Sequence, residues 1–463
     1  MSDFDFILRN GTIITHEHVM KSDIAIAQEK ITALGENLTG SGKEEIDAAG
    51  LHIFPGVIDA HVHFNEPGRA DWEGLETGSQ ALAAGGGTLF FDMPLNAHPP
   101  TCDVESFDLK AASARANSLT DFALWGGLVP HNLEQLERLA ERGVIGFKAF
   151  MSNSGIDDFP RADHGTLRKG MKRIAAVGQL VAVHAESESL TQKLALEKMS
   201  RGCTSIRDYL DSRPIEAELE AIRNAIDMAG DVRCKLHVVH VSSEEGVGLI
   251  TDAKKRGADV SCETCPHYLV LTENDMLKLG AVAKCAPPLR PASERDALWE
   301  RLLVGEVSTI GSDHSPSPPD IKRDTNFFKV WGGISGVQHL LPLLIGSPEA
   351  IDYFGGGTAE APTLPAKGLS LVAKLTSFNV AERFRLPKTK GRIEVGADAD
   401  LALVDFRGKT VVRAEDLFYR HKHSPYVGRT LTGRVVQTIL RGQTIFKRGQ
   451  IVGRRRGQLM KPL

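Results

Sequence analysis

The sequence predicts an α/β fold: a distorted (β/α)8 TIM-like barrel carrying a small β-sandwich domain built from both chain ends. Three observations predict it. Short apolar runs alternate with segments of helical period through the middle of the chain, the mark of βαβ units and a parallel sheet. The two ends read instead as strand pairs joined by glycine turns. Nearly every central run also closes on a histidine, lysine or aspartate.

The elements follow in order. Residues 1–52 hold "DFILRNGTII" and "DIAIAQEKITALG", alternating runs around polar-Gly turns, and form the N-terminal part of the β-domain. Residues 53–388 form the barrel. Its strands include "GVIDAHVH", "GGTLFFDMP", "VIGFKAF", "QLVAVHAE", "KLHVVHVSS", "DVSCETCPH" and "VSTIGSDHS". Segments such as "EAELEAIRNAIDMAG" and "EEGVGLITDAKKRGAD" carry charged faces and a late glycine, as crossover helices do. Residues 389–463 return to "ADLALVDF" and "QTILRGQTIF", which complete the β-domain, and to a tail.

Bulk properties exclude several classes. The 463 residues are 42% hydrophobic and 25% charged, an ordinary globular composition. A formal charge of -4 leaves no footprint for nucleic acid or an anionic membrane. The basic tail "KRGQIVGRRRG" reads as a short solvated terminus. "MSDFDFILRN" is no signal peptide, and no segment reaches the ~20 apolar residues that span a bilayer. Six cysteines make no disulfide framework, and the lone C-x-x-C at Cys262 and Cys265 reads as a strand with buried thiols. A reducing cytoplasm fits these features.

In a parallel barrel the C-terminal strand ends share one rim, where such enzymes build their sites. His61 and His63, Lys148, His184, His240 and Asp313 would then converge. Side chains two apart on a strand face the same way, so His61 and His63 can hold one divalent ion. An isolated H-x-H is as readily a polar strand end; four further candidates at matching ends favour metal. Lys148 sits inside "VIGFKAF", where it either snorkels outward or has its charged form disfavoured. A neutral amine there can react with CO2 to give a carbamate, a bidentate ligand able to bridge two metals. That reading puts His61, His63 and Asp313 on one ion and His184 and His240 on the other.

The ordered set "PGVIDAHVHFNEPGR", "AAGGGTLFFDMPLN", "FKAFM", "VHAE", "HVVHVSS", "CETCPHYL", "PPLR" and "SDHSP" resembles the amidohydrolase superfamily across nearly the whole chain. The resemblance falls in its cyclic-amide branch, with the dihydroorotases, hydantoinases, dihydropyrimidinases and allantoinases. It implies two divalent ions, zinc first with manganese, cobalt or iron as alternatives, and Lys148 as N6-carboxylysine formed with CO2. It implies Asp313 as the catalytic acid–base and a homotetramer acting on a small molecule.

Two departures bear on the substrate. Dihydroorotases of this type usually read H-x-H-F-R, whereas Asn65 stands in the Arg position here, which disfavours a carboxylated ring unless Asn65 is only a turn residue. Hydantoinases typically place Tyr where Asn153 stands. "SDHSPSPPDIK", "WGGISGVQ" and "RHKHSPYVGR" resemble bacterial allantoinases, which implies allantoin as substrate and allantoate as product. Ring contacts implied by the resemblance are main-chain groups at Ala286, Gly332, Gly333 and Ile334, with Asn65 and Asn153 as side chains. Asp92, His267 and His314 read as supporting residues. "DFPRADHGT" and "HSPSPPDIKRDTNFF" read as loops over the rim. The rivals are a hydantoinase for other cyclic ureides and a non-catalytic scaffold of the same fold, against which the complete ligand set speaks.

Overall fold

The structure is a computed structural model that describes residues 2–356 and 363–463. Its centre is a ring of parallel strands in chain order: Val57–Val62, Gly87–Asp92, Asp121–Leu124 with Gly126–Gly127, Phe147–Phe150, Leu180–His184, Lys235–Val238, Val260–Thr264 and Thr309–Ile310. Three strands form one hydrogen-bonded sheet and six the other. The sheets meet at Trp125, whose N–H donates to Asp92 O at 3.1 Å while Ile145 N–H reaches Leu124 O at 2.9 Å. The opposite seam closes where Val62 bridges His314 and His63 N–H donates to His314 O at 2.8 Å. The strands are buried on both faces, which is why they read as nearly continuous apolar runs.

Strands release the chain at the rim into loops and helices, several of them capped. Ser187 and Ser243 accept from Leu190 N–H and Gly246 N–H, which starts Glu188–Ser200 and Glu244–Lys255. Helix Ile215–Val232 buries Leu219, Ile222, Ala225 and Met228 at helical spacing. It packs these against helices His164–Ala176 and Glu244–Lys255. Burial of each large apolar side chain contributes about 1.5–3 kcal/mol. Truncating Ile222 to Ala would cost about 2–5 kcal/mol.

Both chain ends enter one nine-stranded sheet, ordered Gln450–Ile451, Gln443–Lys447, Thr430–Leu440, Leu401–Val411, Leu51–Pro55, Phe4–Ile14, Val19–Ala27 and Lys30–Gly35, with Gly42–Asp47 beside Phe4–Ile14. Period-2 alternation gives it two apolar faces. Leu401 and Leu403 join Phe6, Leu8, Ile24 and Ile26 in a core of their own, while Ala402 and Val404 join the barrel's. A buried ionic cluster ties barrel to sheet. Lys390 Nζ lies 2.8 Å from Asp121, 3.0 Å from Asp398 and 2.7 Å from Asp400, and Arg441 also pairs with Asp121.

The basic tail departs from the expected solvated terminus. Phe122 N–H donates to Gln458 O, Met460 N–H to Phe122 O, and Gly457 N–H to Ser118 O. Arg455 and Arg456 pair with Glu76 and Glu29. The edge of strand Asp121–Leu124 offers unpaired backbone groups, and the tail satisfies them. All six cysteines are free, with Cys262 and Cys265 fully buried. No helix among the described residues is long and apolar enough to cross a membrane.

Candidate metal centre and substrate cavity

At the rim, the strand ends bring His61, His63 and Asp313 together, each offering a ligand atom within 4.8 Å of the others. His61 Nε2 lies 3.2 Å and His63 Nε2 3.6 Å from the same oxygen, Asp313 Oδ1. Burial alone would raise the Asp313 carboxyl, but the field of His61, with His63 and His240, holds it well below the usual range. His184 Nδ1 faces His240 Nε2 at 3.0 Å, and the His61 and His240 ring centroids lie 5.5 Å apart. The four imidazoles therefore line one small space. His240 and Asp313 adopt left-handed backbone, with φ 41° and 46°. Non-glycine residues adopt that region at a cost, and it turns both chains at the strand ends.

Lys148 does not snorkel. It is fully buried, and its Nζ has no hydrogen-bond partner among the described residues. The amine sits 5.1 Å from the Phe150 ring centroid. Burial lowers it to about 7, against the opposing pull of Asp313 and Glu263. A buried amine without an acceptor is an expensive group to keep for packing alone.

Two carboxylates support the imidazoles, and sequence reasoning passed over both. Glu263 Oε1 accepts from His61 Nδ1 at 2.7 Å, so Nε2 is left for the cluster. Burial would raise Glu263, yet His61 and His237 hold it at about 2. Glu186 Oε2 accepts from His184 Nε2 at 2.7 Å, and Arg213 pairs with it. Arg213 and His184 overcome burial and keep Glu186 at about 2. Such partners fix tautomer and ring orientation. The signals were present: a glutamate inside the apolar run "VSCETC", and H-x-E spacing in "VHAE".

The other candidates occupy different positions. Asp92 accepts from Phe64 N–H at 3.0 Å and lies 3.1 Å from buried Lys110 Nζ. His314 Nδ1 accepts from Gly336 N–H at 3.1 Å, and burial pushes His267, tilted against the Tyr268 ring, down to about 4.

A cavity of about 540 Å³ opens over the cluster. Asn153, Ala286, Gly332 and Gly333 line it. Asn65 does not: it lies beneath, buried with φ 66°, and its Nδ2 donates to Pro316 O at 3.3 Å. Ile334 also sits behind the wall, its carbonyl accepting from Ser315 N–H at 2.9 Å. Asn153 Oδ1 is turned back onto Gly155 N–H at 2.9 Å, which leaves its Nδ2 as the free group. Asn96 and Ser315, absent from the sequence reading, line the cavity and face each other at 3.4 Å. The cavity's arginine, Arg213, is already paired with Glu186. A larger groove of about 1180 Å³ along the terminal sheet holds none of these groups.

The Amidohydrolase family profile matches residues 52–445. The chain is 54% identical over 462 residues to the allantoinase of Rubrobacter xylanophilus, covering 100% of this chain and 98% of that one. It is 50% identical to the allantoinase of Solibacter usitatus, covering 98% and 96%. Among solved structures, the L-hydantoinase (dihydropyrimidinase) of Arthrobacter aurescens superposes with a TM-score of 0.93 at 32% identity, over 99% of this chain and 100% of that one. The D-hydantoinase (dihydropyrimidinase) of a Thermus species does so with a TM-score of 0.88 at 26% identity, over 99% of each.

Proposed function

The chain belongs to the amidohydrolase family, and from that premise we propose that it is a metal-dependent allantoinase, opening the hydantoin ring of allantoin to allantoate. One observation carries the choice of substrate: near-full-length identity of 54% and 50% to allantoinases, against 32% and 26% to hydantoinases of the same fold. The cavity agrees. Its arginine is neutralised by Glu186, and the main chain at Ala286 and Gly332, with the remaining lone pair of the Gly333 carbonyl, offers uncharged groups suited to a neutral ring. A carboxylated ring would need a free cationic fork.

The donor set fits a pair of divalent ions. His61, His63 and Asp313 would hold one, and His184 and His240 the other, with the orphaned Lys148 amine, carboxylated by CO2, between them. Imidazole and carboxylate donors suit zinc first, with manganese, cobalt or iron also accepted. When bound, such ions supply Lewis-acid polarisation of the ring carbonyl and acidify the attacking water.

The protein's own groups do the rest. Asp313, ionised beside His61 and His63, accepts the proton that water loses as its oxygen bonds to the ring carbonyl carbon. The same carboxyl then delivers that proton to the ring nitrogen as the C–N bond breaks. Glu263 and Glu186 keep His61 and His184 oriented. The polar wall holds the ring, with Asn153 as a side-chain donor and Asn65 and Ile334 fixing the backbone behind it. A soluble cytoplasmic homotetramer accords with the family and with the free thiols.

The TM-score of 0.93 favours a second reading, a hydantoinase acting on other cyclic ureides. Turnover of allantoin, hydantoin and dihydrouracil by the metal-loaded protein decides between them. Allantoin is expected to be hydrolysed fastest; faster turnover of hydantoin would replace the first reading with the second.

A further inference from the structure

Two buried lysines next to the cavity have no part in the chemistry above. Lys284 Nζ donates to the carbonyls of Phe327 at 2.6 Å, Val330 at 2.5 Å and Phe328 at 3.5 Å. It also lies 4.5 Å from the Tyr209 ring centroid and 5.1 Å from that of Phe327. Lys322 Nζ donates to the carbonyls of Gly333 at 2.9 Å, Trp331 at 3.2 Å and Ala281 at 3.3 Å. Gly333 N–H donates back to Lys284 O at 2.7 Å. Neither amine has a carboxylate within ion-pair distance among the described residues.

Burying an ammonium without a counter-ion is costly, and a methionine would fill the space without that cost. The carbonyls explain the choice. Residues 327–333 belong to no helix or strand, so their carbonyls have no ladder to join. An ammonium offers three donors from one point, enough to gather several carbonyls of an irregular segment. Burial pulls Lys284 down to about 7, with Arg213 and Lys322 adding to it, and Lys322 to about 8. The gathered carbonyl dipoles favour the protonated forms. The segment so held supplies Val330, Trp331, Gly332 and Gly333 to the cavity wall. Its geometry leaves little slack: Gly333 has φ 139°, and a Cβ there would stand 2.2 Å from Ser315 O.

We propose that Lys284 and Lys322 are positioning residues that staple the 327–333 main chain into the shape of a substrate-binding wall. The staple sets affinity, because a wall that holds the ring equally in ground and transition states changes KM more than kcat. This rests on the reading of the cavity as the site for a cyclic ureide.

The test uses full-length, metal-loaded Lys284→Met and Lys322→Met proteins. Expected are a KM for allantoin raised at least about tenfold, kcat within about threefold, and metal content unchanged. Faster backbone hydrogen exchange confined to 327–333 is expected as well. KM within twofold of the parent together with unchanged exchange would overturn the proposal, as would failure of both variants to fold, which marks a purely structural role. Should the parent not hydrolyse allantoin, the functional reading fails separately. The exchange measurement still decides the staple, and KM is then read on whichever cyclic ureide the parent turns over.

Discussion

His184 Nδ1 and His240 Nε2 stand 3.0 Å apart, and Glu186, 2.7 Å from His184 Nε2, holds the His184 proton on the far side of the ring. A lone pair on Nδ1 is thereby aimed at His240. Glu263 performs the same service for His61, taking Nδ1–H and leaving Nε2 toward Asp313. Losing such a carboxylate charge frees the tautomer and lowers ligand basicity. Glu186→Gln and Glu263→Gln are each expected to weaken metal binding about 10–100-fold. Competition with a chelator of known affinity measures it. Parent-like affinity in both variants would mean these carboxylates only fill space.

Asp313 combines two roles, base and metal ligand. Its backbone sits at φ 46°, a region that Asn tolerates nearly as well as Asp, so Asp313→Asn leaves the turn intact while removing the base and the charge of one metal ligand, and kcat is read at matched metal occupancy. kcat is expected to fall about 10²–10⁴-fold, the usual contribution of a general acid–base. Stripping the metal with a chelator is expected to cost more, since both polarisation and water acidification go with it. A kcat within tenfold of the parent, at full metal occupancy, would remove Asp313 from the proton path.

How far the sequence discloses this site depends on what kind of signal each residue leaves. His61 and His63 announce themselves by period-2 spacing at the end of an apolar run, and Lys148 by standing where charge is unwelcome. Barrel topology then gathers them. Glu263 and Glu186 obeyed the same rules but were masked by more eye-catching histidines two residues or one strand away. Asn65 misleads for a different reason: its position in the motif suggests a substrate contact, whereas its left-handed φ and bond to Pro316 O put it under the cavity floor. Backbone conformation of that kind has no period to read. The tail deceived for a reason of composition, since arginines that read as solvated pair with Glu29 and Glu76, and the backbone of Gly457, Gln458 and Met460 just beyond them completes a barrel edge. Lys284 and Lys322 left no trace in sequence, because their partners are carbonyls, which every residue has.

His339 gives the stability a pH dependence that can be separated from the metal site. It is 7% exposed, near Tyr419 and Tyr426, and its Nδ1 lies 3.4 Å from the Tyr419 hydroxyl. Burial lowers it to about 4, against about 6.5 in an unfolded chain. Between those values the unfolded chain binds a proton that the folded protein refuses, so stability rises with pH across the window. The neutral ring is therefore no liability above pH ~6.5, and protonation of the unfolded state costs up to about 3 kcal/mol as the pH falls to ~4. His339→Gln keeps a neutral polar group of similar size and removes the titration. Denaturant unfolding of metal-free parent and variant is expected to show the parent's relative stability falling steadily from pH 6.5 to 4. A difference that stays constant across that range would show that His339 takes up its proton as readily in the folded protein as in the unfolded chain.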